Sequence, residues 1–235
     1  MFLKRGLFTI KISIIVPVLN EEKTLGKTLS GLPVTDSEEL IIVDGKSSDR
    51  TLSIAREFTD RVFVTEKGRG HQMNVGAKGA GGNILLFLHA DCILPGDGFK
   101  IIRETRKDKR VSAGAFHLGI DHPSFRFRII ERAVHLRSCI TRIPYGDQGI
   151  FMRKEVFEKI GGFSEICLME DIEISKRLKK AGKIAFVKPL IRTSPRRWLK
   201  EGLTYTTLRD WCLSLSYTFL KISPEKLIRH YRDVR

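Results

Sequence analysis

Three acidic positions stand where a carboxylate could do chemistry. Asp44 follows the apolar run 40–43. Asp91 closes His89-Ala90-Asp91 after the apolar run 84–88. The pair Glu170-Asp171 opens a stretch with helical spacing. At a strand end, a carboxylate can accept hydrogen bonds from a base or ribose. It can also hold a hard divalent cation, Mn2+ or Mg2+, while phosphate oxygens and water complete the shell. At a helix start it can take a proton from a hydroxyl. Each position also has a plainer explanation. Asp44 beside Gly45 suits a turn. His89 suits either a packed, hydrogen-bonded histidine or a metal ligand through nitrogen or water. Glu170-Asp171 suits the N-terminal end of a helix dipole, with Glu173 and Arg177 at i,i+4 and Lys179-Lys180 at the far end.

Basic and aromatic residues offer the complementary chemistry. Arg196-Arg197-Trp198 can clamp phosphate oxygens or stack on a ring, or simply anchor a following helix. Arg69, Gln72 and Asn74 lie near Gly68-Arg69-Gly70 and can reach phosphate or ribose. That glycine spacing satisfies neither a Walker pattern nor a dinucleotide fingerprint.

The elements that must position these groups alternate along the first part of the chain. Dense β-branched or apolar runs at 12–18, 40–43, 61–65 and 84–88 predict strands, with helices over about 20–30, 50–58 and 70–80 between them. Asn20 is expected to cap the first helix, with Glu21 and Glu22 in its first turn and Gly31-Leu32-Pro33 at its end. Repeated strand and helix with short connections implies a parallel sheet, and ligands bind such sheets beyond the carboxyl ends of the strands. Asp44 and Asp91 both fall at such ends. Later segments predict strands at 112–118 and 149–152 and helices at 124–138, 154–160, 170–181 and 201–222, with a last short helix from Pro224. In the 124–138 helix, Phe125, Ile129, Ala133 and Leu136 share one face.

The chain has 235 residues, of which 42% are hydrophobic and 29% charged, so it can bury one core. Residues 1–98 carry 12 basic and 12 acidic groups, which leaves the whole net charge of +15 on residues 99–235. Such a surface attracts phosphorylated or anionic partners, or is an ordinary solvated exterior. Four scattered cysteines without a Cys-x-x-Cys pair exclude a zinc ribbon and suit a reducing cytoplasm. Lys4-Arg5 before an apolar stretch superficially matches a leader peptide, but Lys11 interrupts that stretch and no cleavage site follows. No apolar run reaches the length that spans a bilayer.

Taken in order, the segments resemble family 2 glycosyltransferases. Ser13-Ile-Ile-Val-Pro-Val-Leu-Asn20-Glu21 is similar to their opening strand, and Ile41-Ile-Val-Asp44-Gly-Lys-Ser-Ser-Asp49 to their nucleotide-binding turn. Asn74-Val-Gly76 and Gly82-Asn-Ile-Leu-Leu-Phe-Leu-His-Ala-Asp91 resemble the approach to their metal-binding Asp-x-Asp, with His89 in place of the first Asp. Gly161-Gly162-Phe163 followed by Glu170-Asp171 resembles their acceptor-side segment. The likeness runs over roughly residues 10–200. His89-Ala90-Asp91, Pro144-Tyr145-Gly146-Asp147-Gln148 and Leu168-Met-Glu-Asp171 further resemble a bacterial subgroup labelled arsenosugar-biosynthesis glycosyltransferases.

The resemblance implies an α/β protein of GT-A fold: a mainly parallel, doubly wound sheet with a C-terminal helical acceptor-side region. One domain over residues 1–235 is expected, with a nucleotide-sugar half at about 10–98, an acceptor-side half at about 99–200 and C-terminal helices at 201–235. The implied activity is metal-assisted, inverting transfer of a sugar from a nucleotide-diphosphate donor, UDP-sugar favoured, to an acceptor hydroxyl. Asp171 would be the base, with Glu170 beside it. Pro17, Asn20, Glu21, Asp44, Arg69, Asn74 and Ala90 would hold the nucleotide. Asp91 and His89 would hold Mn2+ or Mg2+, and Asp147, Gln148, Arg197 and Trp198 would face the acceptor. The expected setting is the cytoplasm, with no nucleic-acid partner. Rival readings are a sugar-nucleotidyltransferase, a non-catalytic basic binding protein, and a transferase at the inner membrane surface acting on a lipid-linked acceptor. For the last, Trp211, Leu215, Tyr217 and Phe219 would lie on the bilayer.

Overall fold

The computed structural model describes residues 10–231. Lys4-Arg5, the basic end of the segment weighed as a leader, lie outside them. The order is β1 (Ile12–Val18), α1 (Leu25–Ser30), β2 (Glu38–Asp44), α2 (Thr51–Phe58), β3 (Val62–Val64), α3 (Arg69–Gly79), β4 (Ile84–Phe87), β5 (Cys92–Ile93) and α4 (Gly98–Arg106). There follow β6 (Val111–Ile120), α5 (Phe125–Thr141), β7 (Ile150–Arg153), α6 (Lys154–Lys159), α7 (Glu170–Ala181), β8 (Lys183–Thr193), α8 (Arg196–Glu201), α9 (Leu203–Thr218) and α10 (Pro224–Leu227). The strands form a single sheet in the order β3-β2-β1-β4-β7-β6-β8-β5. β3, β2, β1 and β4 are parallel, β7 runs against both its neighbours, β6 and β8 are parallel, and β5 runs against β8.

Both faces of the sheet are covered, so β1, β2, β4 and β6 are buried along their whole length and rich in apolar residues. Successive residues of β1 point to opposite sides. Ile12, Ile14 and Val16 pack with Leu25, Leu29 and Ala55 from α1 and α2. Ile15 packs on the other side with Met73 and Ala77 of α3 and Ile174 and Leu178 of α7. The parallel strands therefore end along one rim, where Val18 and Asp44 are in register.

Several elements depart from expectation for physical reasons. α1 begins at Leu25, not Asn20, and has no acidic residue in its first turn. Asn20 instead takes a left-handed backbone conformation (φ 53°) and accepts the Ser48 N–H at 2.8 Å, joining the loops after β1 and β2. In α5 the buried side is Phe127, Ile130 and Val134, while Phe125, Ile129 and Leu136 face outward. Both sets have helical spacing, so periodicity does not choose between them; Leu118 and Ile120 of β6 do, by packing against the first set. The helix expected at 201–222 is α9, which starts after Gly202 (φ 96°) and ends at Thr218, and a separate short helix, α8, precedes it. β8, β5 and α4 carry no clear sequence signal. β8 is only partly buried and contains Lys188-Pro189; its partner β6, paired from Val111–Lys183 to Ile120–Thr193, specifies it. No helix among the described residues is long and apolar enough to cross a membrane.

One buried carboxylate ties the far end of the sheet together. Glu39 accepts hydrogen bonds from Ser13 Oγ, Gly81 N–H (2.6 Å) and Gly82 N–H (2.9 Å) and pairs with Arg61 and Lys11. Burial works against its charge, but the bonds from Ser13 and Gly81 and the charge of Arg61 hold its carboxyl below the ordinary range. Glu39→Ala leaves these donors unmet and is expected to cost about 3–5 kcal/mol, measured by urea unfolding of the two proteins side by side.

Candidate active site

A single cleft forms beyond the rim where the parallel strands end. Pro17 and Glu21 reach it from the β1 side, His89-Ala90-Asp91 from the end of β4, and Glu170-Asp171 from the start of α7. Arg69, Asp147, Arg197 and Trp198 complete the set of expected residues that line it. Residues separated by more than 150 positions are thus gathered by the sheet into one space.

Local backbone features aim these groups. Met169, just before α7, holds a left-handed conformation (φ 70°), an unfavourable state for a long side chain that is kept where surroundings enforce it. It turns the chain so that Glu170 and Asp171 enter the cleft. Gly146 is pressed against His89: a Cβ there would lie 2.5 Å from His89 Nε2. The Gly146 N–H donates to Asp171 Oδ2 at 3.0 Å and the Ile172 N–H to Asp171 Oδ1 at 2.7 Å. Those two bonds fix the carboxylate's direction.

Charges of both signs are packed together. Arg196 makes a two-pronged pair with Glu21 (2.6 and 2.7 Å) and lies 3.4 Å from Asp91. Burial raises the Asp91 carboxyl, with Arg196 opposing and Glu21 reinforcing the rise. Burial also pushes His89 down to about 3, helped by Arg69, Arg196 and Arg197, so its ring is neutral. Glu170 is raised by burial and restrained by Arg69, which lies 3.6 Å away. Asp147 is pushed up to about 6 by burial, opposed by Arg137 and reinforced by Asp171 and Asp91. Its Oδ1 is shut off from solvent and has no hydrogen-bond partner.

The remaining expected residues sit outside the cleft lining. Asp44 is 1% exposed and accepts from the Ser47 N–H and hydroxyl. Asn74 exchanges hydrogen bonds with the backbone of Phe163 (2.9 and 2.8 Å). Gln148 is buried, with its amide spent on Tyr145 N–H and Phe116 C=O. Sequence reasoning passed over Arg137. It stacks on the Tyr145 ring at 3.3 Å, and its Nε and Nη1 are buried without partners. It lies three residues after Val134 and seven after Ile130, on the buried side of α5, a side that periodicity alone does not pick out.

Whether these residues fit a divalent cation can be judged from their chemistry. Among the described residues no three His, Cys, Asp or Glu side chains form a cage for a metal. Asp91 and the neutral ring of His89 both line the cleft. One carboxylate with a histidine fits a hard cation whose shell is completed by phosphate oxygens and water.

Known proteins share this chain's family pattern and fold. Residues 13–164 match the family model described as glycosyl transferase family 2. A Methanococcus voltae dolichyl N-acetyl-alpha-D-glucosaminyl phosphate 3-beta-D-2,3-diacetamido-2,3-dideoxy-beta-D-glucuronosyltransferase is 32% identical over 88% of this chain and 75% of its own length. The probable glycosyltransferase YdaM of Bacillus subtilis is 25% identical over 73% of this chain, which spans 47% of that protein. Among solved structures, a mannosyltransferase from Pyrobaculum calidifontis in complex with GDP-Man and Mn2+ superposes with a TM-score of 0.64. It covers 95% of this chain and 66% of its own, at 21% identity, which establishes a shared GT-A fold.

The raised Asp147 carboxyl makes a pH-dependent prediction. Its stabilising protonated form is fully present below the unfolded value and is lost as pH rises through about 6. In metal-free buffer, Asp147→Asn and the parent protein should have similar stability near pH 4. Near pH 7 the variant should be the more stable by about 3 kcal/mol. Urea unfolding across that range checks it, and a difference that does not vary with pH would remove the effect assigned to Asp147.

Proposed function

The chain belongs to glycosyl transferase family 2, and from that membership and its cleft we propose that it moves a sugar, with inversion, from a nucleotide-diphosphate sugar to an acceptor hydroxyl. The observation that carries this reading is the gathering of Asp91, Asp147 and Asp171 with Arg69, Arg137 and Arg197 in one buried space. Carboxylates alone would suit a cation store, and arginines alone an anion site. Together they suit a cation-neutralised diphosphate placed beside a base.

The roles follow from position. Asp91 and His89 would hold Mn2+ or Mg2+, which when bound neutralises charge growing on the diphosphate leaving group. Arg69 and Arg137 offer donors to the same oxygens, and Pro17, Glu21 and Ala90 border the donor. The bonds of Asp44, Asn20 and Asn74 support an indirect contribution: they fix the loops against which the nucleotide lies. Asp171, oriented by Gly146 and Ile172, is the proposed base. It takes the acceptor proton as that oxygen attacks the anomeric carbon opposite the leaving diphosphate. Glu170, paired with Arg69, keeps that arginine in place. Asp147 and Trp198 face the acceptor, and Gln148 and Arg197 brace them.

An acceptor carried on a lipid is favoured by the apolar part of the cleft, where Leu118, Ile130, Val134, Trp198, Trp211 and Leu213 form the wall. The name of the M. voltae relative, a dolichyl phosphate glycosyltransferase, supports the same class. A UDP donor and the arsenosugar-type subgroup rest on residue patterns alone. Four unpaired cysteines support a cytoplasmic setting.

Asp171→Asn should bind donor normally and lose transfer by about 100-fold or more, measured as product formed per enzyme beside donor titration. Normal turnover would move the base to another residue. Asp91→Asn should abolish the response to Mn2+ with the fold intact; a full metal response would take the cation away from Asp91.

A further inference from the structure

α5 has two apolar faces, and the fold covers only one of them. Phe127, Ile130 and Val134 pack inward. Phe125, Ile129, Leu136 and Ile140 point outward and are 70%, 58%, 60% and 74% exposed. Their spacing of four, seven and four residues places them in one stripe along the helix. Exposed Arg126 and Arg132 flank that stripe, and exposed Arg142 follows the helix. The single acidic residue of α5, Glu131, is tucked against Arg128. An apolar stripe bordered by arginines and free of exposed acid is the pattern of a helix that lies in a membrane interface.

Two further observations select the occupant. The entire net charge of +15 resides on residues 99–235, the part that contains α5, which complements an anionic lipid surface. A second copy fits worse, because a two-fold contact through this stripe would bring like-charged arginine borders together. The inner side of α5 also supplies Ile130, Val134 and Arg137 to the cleft wall. One helix diameter, roughly 10 Å, therefore separates the outer stripe from the site. A hydroxyl on a lipid headgroup can cover that distance.

We propose that the outward face of α5 docks the protein on an anionic membrane, with Phe125, Ile129, Leu136 and Ile140 entering the headgroup boundary and Arg126 and Arg132 on lipid phosphates. The face then holds the cleft just above the bilayer. This deepens the lipid-borne acceptor reading and rests on it for its purpose, but the docking is measurable without any transfer assay.

The test is co-sedimentation of the full chain with phosphatidylcholine vesicles, with and without phosphatidylglycerol. Binding should require the anionic lipid and weaken with salt. Phe125→Ser combined with Ile129→Ser, and separately Arg126→Glu combined with Arg132→Glu, should each weaken it by at least about tenfold. Both variants should keep the parent's melting temperature and its turnover of donor with a water-soluble acceptor. Equal binding to neutral vesicles, or variants that bind like the parent, would overturn the proposal. So would a dimer in sedimentation that Phe125→Ser dissolves without any vesicle binding. If docking holds but donor is never turned over, the transferase reading fails and the membrane face stands.

Discussion

Burial of charged groups of both signs organises this molecule's cleft. Burial raises the Asp147 carboxyl to about 6, with Arg137 opposing the rise and Asp171 and Asp91 reinforcing it. Its Oδ1 is closed off from solvent and has no hydrogen-bond partner. Arginines answer part of the charge: Arg69 faces Glu170, and Arg196 spans Glu21 and Asp91. Asp147 Oδ1, Arg137 Nε and Nη1, and Arg197 Nε are buried in the cleft without hydrogen-bond partners. Unmet groups of opposite sign in one cleft call for a ligand that carries both signs, which a cation-bound diphosphate does.

The fold holds this arrangement because its parts are rigid where the charges meet. Parallel strands covered on both faces deliver Pro17 and His89-Ala90-Asp91 to one rim, while the strained Met169 and the close-packed Gly146 bring Asp171 beside them. Glu39 does similar work at the opposite end of the sheet by tying Ser13, Gly81 and Gly82. α5 then joins two surfaces, with Ile130 and Val134 in the cleft wall and Phe125 and Ile129 in solvent. One helix therefore relates the site to whatever surface the protein meets.

Legibility in the sequence follows how local each signal is. β1, β2 and β4 were readable because strands buried on both faces need apolar runs, β3 because Val62-Phe63-Val64 is β-branched and aromatic, and α3 and α7 because glycines and charges mark their ends. β8 was not, since its identity comes from pairing with β6 and its own burial follows no simple alternation. That Phe125, Ile129 and Leu136 share a face of α5 was legible, but which face is buried was not, because two equally spaced apolar sets occupy the same helix. At the site, Asp91 and Asp171 stood out by position. The hydrogen bonds that occupy Asp44, Asn74 and Gln148 involve Ser47, Phe163 and Phe116. Ser47 is near Asp44 in sequence, and Gln148 also takes the Tyr145 N–H three residues back, but Phe163 and Phe116 are distant, so those two bonds leave no local trace. Arg137 was hidden as one basic residue among many.

The most direct measurement is thermal unfolding of the protein with UDP-, GDP- and dTDP-sugars, each with and without Mn2+. A ligand that completes the cleft binds the native state and raises the melting point. The expected result is a rise of about 5 °C or more at saturation for one nucleotide sugar, and only when Mn2+ is present. No rise with any of them, or an equal rise when Mn2+ is absent, would contradict a cleft built around a cation-bound diphosphate.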